Sequence, residues 1–304
     1  MKRLIILWYL GFNLVATWLL AQQAPISQIN YLYTMIGDSA SPVRLKQARA
    51  VSVALSGLIY VSDTGNHRIL KLSPDGEVLQ IVGGFGWQKD QFYLPYDIHA
   101  SSALDIFVAD YNNHRIQRYD KDLNYISSLY SNANWASTVQ FGFPKSIASS
   151  FHGELFLIDG ENTRILKLNS FGEPEMSFGD FAEGRGRLLQ PVKLCIGAND
   201  QIFVSDAAAN KIFVFDYFGN YLMEIGGAVL SQPQGIYFSH RRLLFVADQG
   251  NRRIVVFKPD GELVLTYPGT IGASGSLQQP VDVVTVQQRL LVLDNDRLLV
   301  FEWK

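Results

Sequence analysis

Hydrophobic positions in this 304-residue chain fall in short runs rather than in long stripes. β-Branched and aromatic residues fill the runs, and Gly, Asn, Asp or Pro separate them, which predicts strands joined by turns. No internal stretch sustains a helical period, which argues against a helical or leucine-rich solenoid. The runs also recur. "IYVSDTGNHRILKLSPDGEVLQIVGG" is followed by "IFVADYNNHRIQRYDKDLNYISSLYS" and "LFLIDGENTRILKLNSFGEPEMSFGD", then by "IFVSDAAANKIFVFDYFGNYLMEIGG" and "LFVADQGNRRIVVFKPDGELVLTYPG". A shorter copy, "LLVLDNDRLLVFEWK", ends the chain. The equivalent aspartates Asp63, Asp110, Asp159, Asp206, Asp248 and Asp294 follow one another at 47, 49, 47, 42 and 46 residues.

A second signature precedes each copy: "LPYDI", "FPKSI", "QPVKL", "QPQGI" and "QPVDV", with "QARAV" as a degenerate first version. Each unit therefore reads as four strands. The first follows the proline, as in Asp97 to Ala100; the second ends at the aspartate; the third is "RILKL"-like and the fourth "EVLQIV"-like. Four short strands per unit, repeated radially, predict an all-β fold, a β-propeller of six blades with four antiparallel strands each. The sixth unit stops after its third strand, whereas "INYLYTMIGD" near the N-terminus matches the fourth strands of other units. That N-terminal strand is expected to complete the last blade and so close the ring, leaving no open sheet edge between first and last blades.

The pattern P-x-x-I/V … L/I-x-V-x-D-x-x-N-x-R-I-x-x-F/Y … G resembles the NHL repeat, and the resemblance runs over residues 28–304. It implies the propeller fold and only loosely a function. NHL propellers include ligand-binding and scaffold domains, RNA-binding domains and a peptidylglycine amidating lyase, and fold analogy does not choose among them. The chain departs from the pattern in places. Asn210 is shifted and Lys211 replaces the arginine in the fourth unit, the sixth unit is two residues shorter, and Ala48 stands for the first proline.

The first repeated stretch could be mistaken for a catalytic loop. Its recurrence makes it turn hardware: Asp63, Asn66 and Arg68, then Asp110, Asn113 and Arg115, Asp159, Asn162 and Arg164, Asp248, Asn251 and Arg253, with Asp206 and Asp294 in the degraded units. Each aspartate is expected to accept N–H groups of its own turn, and each arginine to pair with that carboxylate or a neighbouring blade's. His67 and His114 occupy equivalent turn positions in adjacent units, and a metal pair is the minor reading. His99, His152 and His240 show no metal-ligand spacing.

Antiparallel pairing puts the Asp–Asn turns, the post-proline residues and the long fourth-to-first connections on one face, where binding residues on a rigid scaffold usually sit. The two residues after each proline are expected to ring the central opening: Arg49 and Ala50, Tyr96 and Asp97, Lys145 and Ser146, Val192 and Lys193, Gln234 and Gly235, Val281 and Asp282. They differ from blade to blade while the motif stays constant, so Arg49, Tyr96, Asp97, Lys145, Lys193, Gln234 and Asp282 are the candidate binding residues. Mutual pairing among them is the competing expectation. Trp87 and Trp135, in the long loops, suit sugar or peptide contacts, or pack beneath their loops.

Composition narrows the partners. With 26 basic and 28 acidic residues the formal net charge is −2, and no run of five like charges points to nucleic acid. The single cysteine, Cys195, reads as a small buried hydrophobe. Lys2 and Arg3 followed by an uncharged run from Leu4 to Ala21 are laid out as a signal peptide over residues 1–21, with an uncleaved anchor as the alternative. The expectation is an exported protein, periplasmic, secreted or cell-surface associated. It would be a binding or scaffold module that recognises a protein, peptide or small polar ligand on the long-loop face, with a protein, peptide or glycan of the cell envelope as partner. The membrane would be involved only if the segment stays uncleaved. The runner-up is a metal-dependent lyase or hydrolase at the channel. No cofactor is expected, but channel-bound Ca or Zn stays open, with Asp97, His99 and Asp282 as weak ligands.

Overall fold

The structure, a computed structural model, describes residues 27–37, 41–100, 105–269 and 275–304. The expected leader lies outside the described residues. Six four-stranded antiparallel sheets are present, each in simple up-and-down order apart from the last. There the N-terminal strand, Ile29–Ile36, pairs with Arg297–Trp303, which continues to Arg289–Asp294 and Pro280–Val286. Chain ends from opposite termini thus close the ring as a mixed blade.

Second and third strands are buried along most of their length, and completely so in Leu155–Asp159 and Arg164–Leu168. The reason is that a propeller blade is covered on both faces by its neighbours, so these strands carry apolar residues on both sides rather than on one. Six buried apolar clusters result, and each lies between two adjacent blades. Phe92, Ile98 and Tyr119 of the second blade pack with Tyr60 and Ile69 of the first, for example, and Phe245 and Ile254 of the fifth pack with Leu290 and Trp303 of the sixth. Fourth strands lie at the rim, and Val78–Gly83 alternates half-buried with exposed positions.

Inner strands begin at the proline itself, one or two residues earlier than the sequence pattern implied: Pro95–His99, Pro144–Ser149, Pro191–Ile196, Pro233–Phe238 and Pro280–Val286. Proline costs nothing at a first strand position, where no ladder donor is needed. It pairs opposite the motif aspartate, as Pro95 does with Asp110. A register shift follows between Pro95 and Asp97, and again at Pro144/Ser146, Pro191/Lys193 and Pro280/Asp282. Such bulges re-aim a side chain locally, and here they give the two residues after the proline different surroundings.

Candidate functional site

The motif aspartates do not chiefly hold their own turns. Asp63 Oδ1 accepts the N–H of Lys46 at 2.7 Å, Asp110 that of Tyr93 at 2.8 Å, Asp159 that of Gly142 at 3.1 Å and Asp248 that of Ser231 at 2.7 Å. Each donor lies just ahead of the inner strand, so the carboxylate ties the incoming connection to the turn beside it. Own-turn N–H groups reach the carboxylate at Glu161 and Ala209. The other oxygen takes the asparagine and arginine of the same motif, as Asp110 takes Asn113 at 2.8 Å and Arg115 at 2.7 Å. The arginine serves its own blade's aspartate, not a neighbour's. In the short sixth turn Arg297 takes over this role toward Asp294.

His67 and His114 have a structural task. Both sit in the left-handed region, with φ of 55° and 53°. The N–H of Leu94 donates to His67 Nδ1 at 3.1 Å and that of Phe143 to His114 Nδ1 at 3.4 Å. Each acceptor lies one blade before its donor. The displaced Asn210 does the same for Gln232 at 2.8 Å, and Asp296 does it for Gln47 at 2.6 Å. Leu94, Phe143, Gln232 and Gln47 all have positive φ, a conformation that costs about 1–2 kcal/mol in a residue with a side chain. Their inter-blade hydrogen bonds help offset it. What looked like a shifted asparagine in the fourth unit is therefore the histidine-equivalent fastener.

The channel mouth on the long-loop face is lined by Arg49, Tyr96, Asp97, Lys145, Val192, Lys193, Gln234, Gly235 and Val281. It separates into two layers. Asp97, Ser146, Gly235, Asp282 and Ala50 are buried, and Lys193 spans the channel among them. The Lys193 ammonium lies 2.5 Å from Asp97 Oδ1 and 3.0 Å from Asp282 Oδ2. Burial opposes its charge, but the two carboxylates outweigh burial and hold it above the ordinary lysine value. Asp282 moves up, because burial exceeds the help it draws from Lys193.

The same layer stitches blade to blade. Asp97 Oδ2 accepts Ser146 Oγ–H at 2.7 Å and Ile147 N–H at 2.9 Å; Ser146 Oγ accepts Leu194 N–H at 3.2 Å; Asp282 Oδ2 accepts Val51 N–H at 3.0 Å. Where the preceding blade offers no acceptor, at Ala50 and Gly235, the carboxylate turns back on its own successor, Ile98 or Val283. A Cβ on Gly235 would collide with Asp282 Oδ1, which is why glycine occupies that place in the ring. Asp97 and Asp282, weak metal-ligand candidates by sequence with mutual pairing as the competing expectation, are thus committed to backbone and to Lys193. The ammonium takes the position between them that a divalent cation would need, so this donor set does not fit a metal. His99 lies below it. Burial, only partly countered by Asp97, lowers its pKa to about 4, and its Nε2 accepts the N–H of Ser149 at 3.0 Å. On the far side the channel opens into a vestibule of about 240 Å³ where Ser52, His99, Cys195 and Tyr237 appear. Burial pushes the Cys195 thiol up to about 12, which makes it inert as a nucleophile.

The outer layer is open. Arg49 is exposed, its guanidinium carbon 4.3 Å from the Tyr96 ring centroid, and Tyr96 stacks on Tyr111 at 4.6 Å. Lys145, Gln234, Val192 and Val281 are partly exposed around it. The two loop tryptophans part company: Trp87 is 69% exposed, whereas Trp135 is half-buried beneath its own loop near Phe141. Sequence reasoning missed Phe85 and Tyr93, which are 59% and 40% exposed. They meet at 5.0 Å, and both touch His67 edge-on. Their place in the long connection between Val78–Gly83 and Pro95–His99 was a signal, but the exposure of an aromatic side chain is not written in its type.

Comparison with known proteins agrees with this architecture. A family model described as NHL repeat matches residues 92–119, in the second blade. The chain is 35% identical over 89 residues to NHL repeat-containing protein 3 of Homo sapiens, covering 28% of this chain and 26% of that protein. It is 26% identical over 184 residues to Protein brain tumor of Drosophila melanogaster, covering 60% and 13%. The matches thus span about a quarter or less of these relatives. Among solved structures it is similar in fold to a catalytically inactive variant of virginiamycin B lyase from Staphylococcus aureus with quinupristin, with a TM-score of 0.61, 17% identity and coverage of 86% and 82%. A repeat motif in register around six closed blades, with the family model matched on one of them, makes this chain an NHL-repeat six-bladed β-propeller protein.

Proposed function

We propose that this propeller is an exported binding module that holds a protein or peptide ligand on its long-loop face, over the first two blades. The observation that carries the reading is a set of exposed aromatics, Phe85, Trp87 and Tyr93, held on one ordered connection that leads into the second blade. Exposed aromatics rimmed by polar groups are characteristic of recognition surfaces. The connection bearing them is pinned from beneath. Arg115 donates to the carbonyls of Trp87, Gln88 and Gln91 at 2.9–3.0 Å, Asn113 to that of Gly86 at 2.8 Å, and the Tyr93 N–H is held by Asp110. A loop ordered in advance spares a ligand the entropy of ordering it, which favours affinity. Export is supported by the basic and apolar N-terminal segment alone.

The test compares capture by the full chain with capture by the triple variant Phe85→Ala, Trp87→Ala and Tyr93→Ala, using the envelope fraction of the native host. A control pair, Phe151→Ala and Phe171→Ala, removes the exposed aromatics at the opposite end of the third blade. Loss of one defined partner with the triple variant and retention with the control is the expected outcome. Equal capture by all three proteins removes the ligand from this face.

A further inference from the structure

The channel mouth carries more positive charge than its own acids neutralise. Lys193 takes both Asp97 and Asp282, and the remaining carboxylate capacity goes to backbone N–H groups and Ser146. Arg49 and Lys145, one layer above, have no ion pair with any described carboxylate. Arg49 is nevertheless held in place, resting on the face of Tyr96. Lys145 is half-buried with its stem against the backbone of Gly160. Burial pushes its ammonium below the usual lysine value; Asp206 opposes this and Arg49 adds to it.

A purely structural role for Lys145 does not account for this. In the fourth blade Lys211 replaces the motif arginine and pairs with Glu224, which leaves Asp206 to backbone N–H donors. Lys145 feels that carboxylate but lies outside ion-pair distance. Two cations therefore line one opening, neither in an ion pair with a described carboxylate.

We propose that Arg49 and Lys145 form a subsite for a single carboxylate, with the Gln234 side chain beside them. The inference rests on the reading of this face as the binding surface. Space limits what can enter: the enclosed part of the mouth measures about 20 Å³, room for one water-sized group, so one carboxylate oxygen seats there and the rest of the ligand lies outside. Asp97 and Asp282 beneath disfavour a second negative charge, which selects a monoanionic carboxylate over a phosphate dianion. The carboxylate belongs to a peptide C-terminus or to an acidic sugar, two sources with the same chemistry.

The experiment follows Lys145 by the pH profile of its acetylation with N-hydroxysulfosuccinimide acetate, read site by site by mass spectrometry on the full chain. The probes are N-acetylglycylphenylalanine, its amide, galacturonate and inorganic phosphate, each at tens of millimolar. A bound carboxylate raises the Lys145 pKa by about one unit, a tenfold fall in free amine below that pKa. The peptide acid or galacturonate, whichever is the source, produces this shift; the amide and phosphate do not. Arg49→Gln raises the Lys145 value in the free protein and shrinks the ligand-induced shift. A Lys145 profile unmoved by both carboxylates, or moved equally by amide or phosphate, overturns the subsite. If partner capture through Phe85, Trp87 and Tyr93 persists in that case, only the carboxylate inference falls. If capture does not depend on those aromatics, the reading beneath it falls as well.

Discussion

Two rings of side chains, one residue apart in sequence, line the same channel and behave oppositely. The second residue after each proline (Ala50, Asp97, Ser146, Lys193, Gly235, Asp282) lies in a nearly dry layer where a lysine, two aspartates and a serine satisfy one another and the backbone. The first residue (Arg49, Tyr96, Lys145, Val192, Gln234, Val281) opens to solvent, and its cations are unpaired among the described residues. Both rings vary from blade to blade. Variation alone therefore does not mark a binding site: a ring that must close through one set of mutually dependent groups varies for structural reasons too. What separates the rings is whether the polar groups are already spent.

The largest expected effect comes from breaking the inner ring at its cation. Lys193→Met leaves two buried carboxylates uncompensated and is expected to cost about 3–5 kcal/mol, read by urea unfolding at pH 7. Replacing the whole set, Asp97→Asn, Lys193→Met and Asp282→Asn, removes the charges together and should recover most of that loss. The wild type should also weaken in alkali. The folded-state value of Lys193 is raised, so its contribution is complete below the unfolded lysine pKa of about 10.4 and disappears as pH rises through the folded value. The triple variant should lose part of this alkaline limb, the rest coming from buried tyrosines such as Tyr60 and Tyr119, which burial also raises; an unchanged slope would mean that Lys193 does not stabilise the ring.

Next comes the acid limb. His99 is about 4 when folded against an ordinary 6.5. Its pKa is depressed, so the unfolded state binds the extra proton, and stability present above pH 6.5 is lost as pH falls toward 4, by at most about 3 kcal/mol. His99→Gln, which can still accept the Ser149 N–H, should flatten the profile between those limits. An unchanged slope would place the acid sensitivity elsewhere.

A smaller effect is expected for Gly235→Ala, about 1–3 kcal/mol from overpacking against Asp282. The outer ring should respond least: Arg49→Gln and Lys145→Gln are expected to change stability by about 0.5 kcal/mol or less, with Lys145→Gln leaning toward stabilisation because it removes a poorly solvated charge. A thermal-melting series across both rings sharpens the contrast. Comparable losses from inner and outer substitutions would erase the distinction between them.

Much of the fold was legible because repetition multiplies a weak local signal. One Asp-x-x-Asn-x-Arg turn means little, but its recurrence at a nearly constant interval identifies the blade, and the truncated last unit points to the N-terminal strand as its complement. The turn's detailed wiring was not legible. Asp63 reaches back to Lys46 of its own blade's incoming connection, and His67 reaches forward to Leu94 of the next blade; strand pairing brings the first pair together and blade packing the second, not neighbourhood in the chain. The candidate residues at the mouth were found by position, but which of them pair with one another could not be read from the sequence. Whether a carboxylate is free depends on Lys193, 96 and 89 residues away.

Blade count, strand order within a blade, closure of the ring and the face that gathers the long loops are all written in the chain, since they follow from local periodicity and antiparallel pairing. Three outcomes waited for the assembled ring: which blade-specific residues neutralise one another across the channel, which aromatics of the long connections stay exposed, and which two cations are left over. They depend on distances between side chains of different blades, and electrostatic pairing and desolvation are set by such distances rather than by residue type.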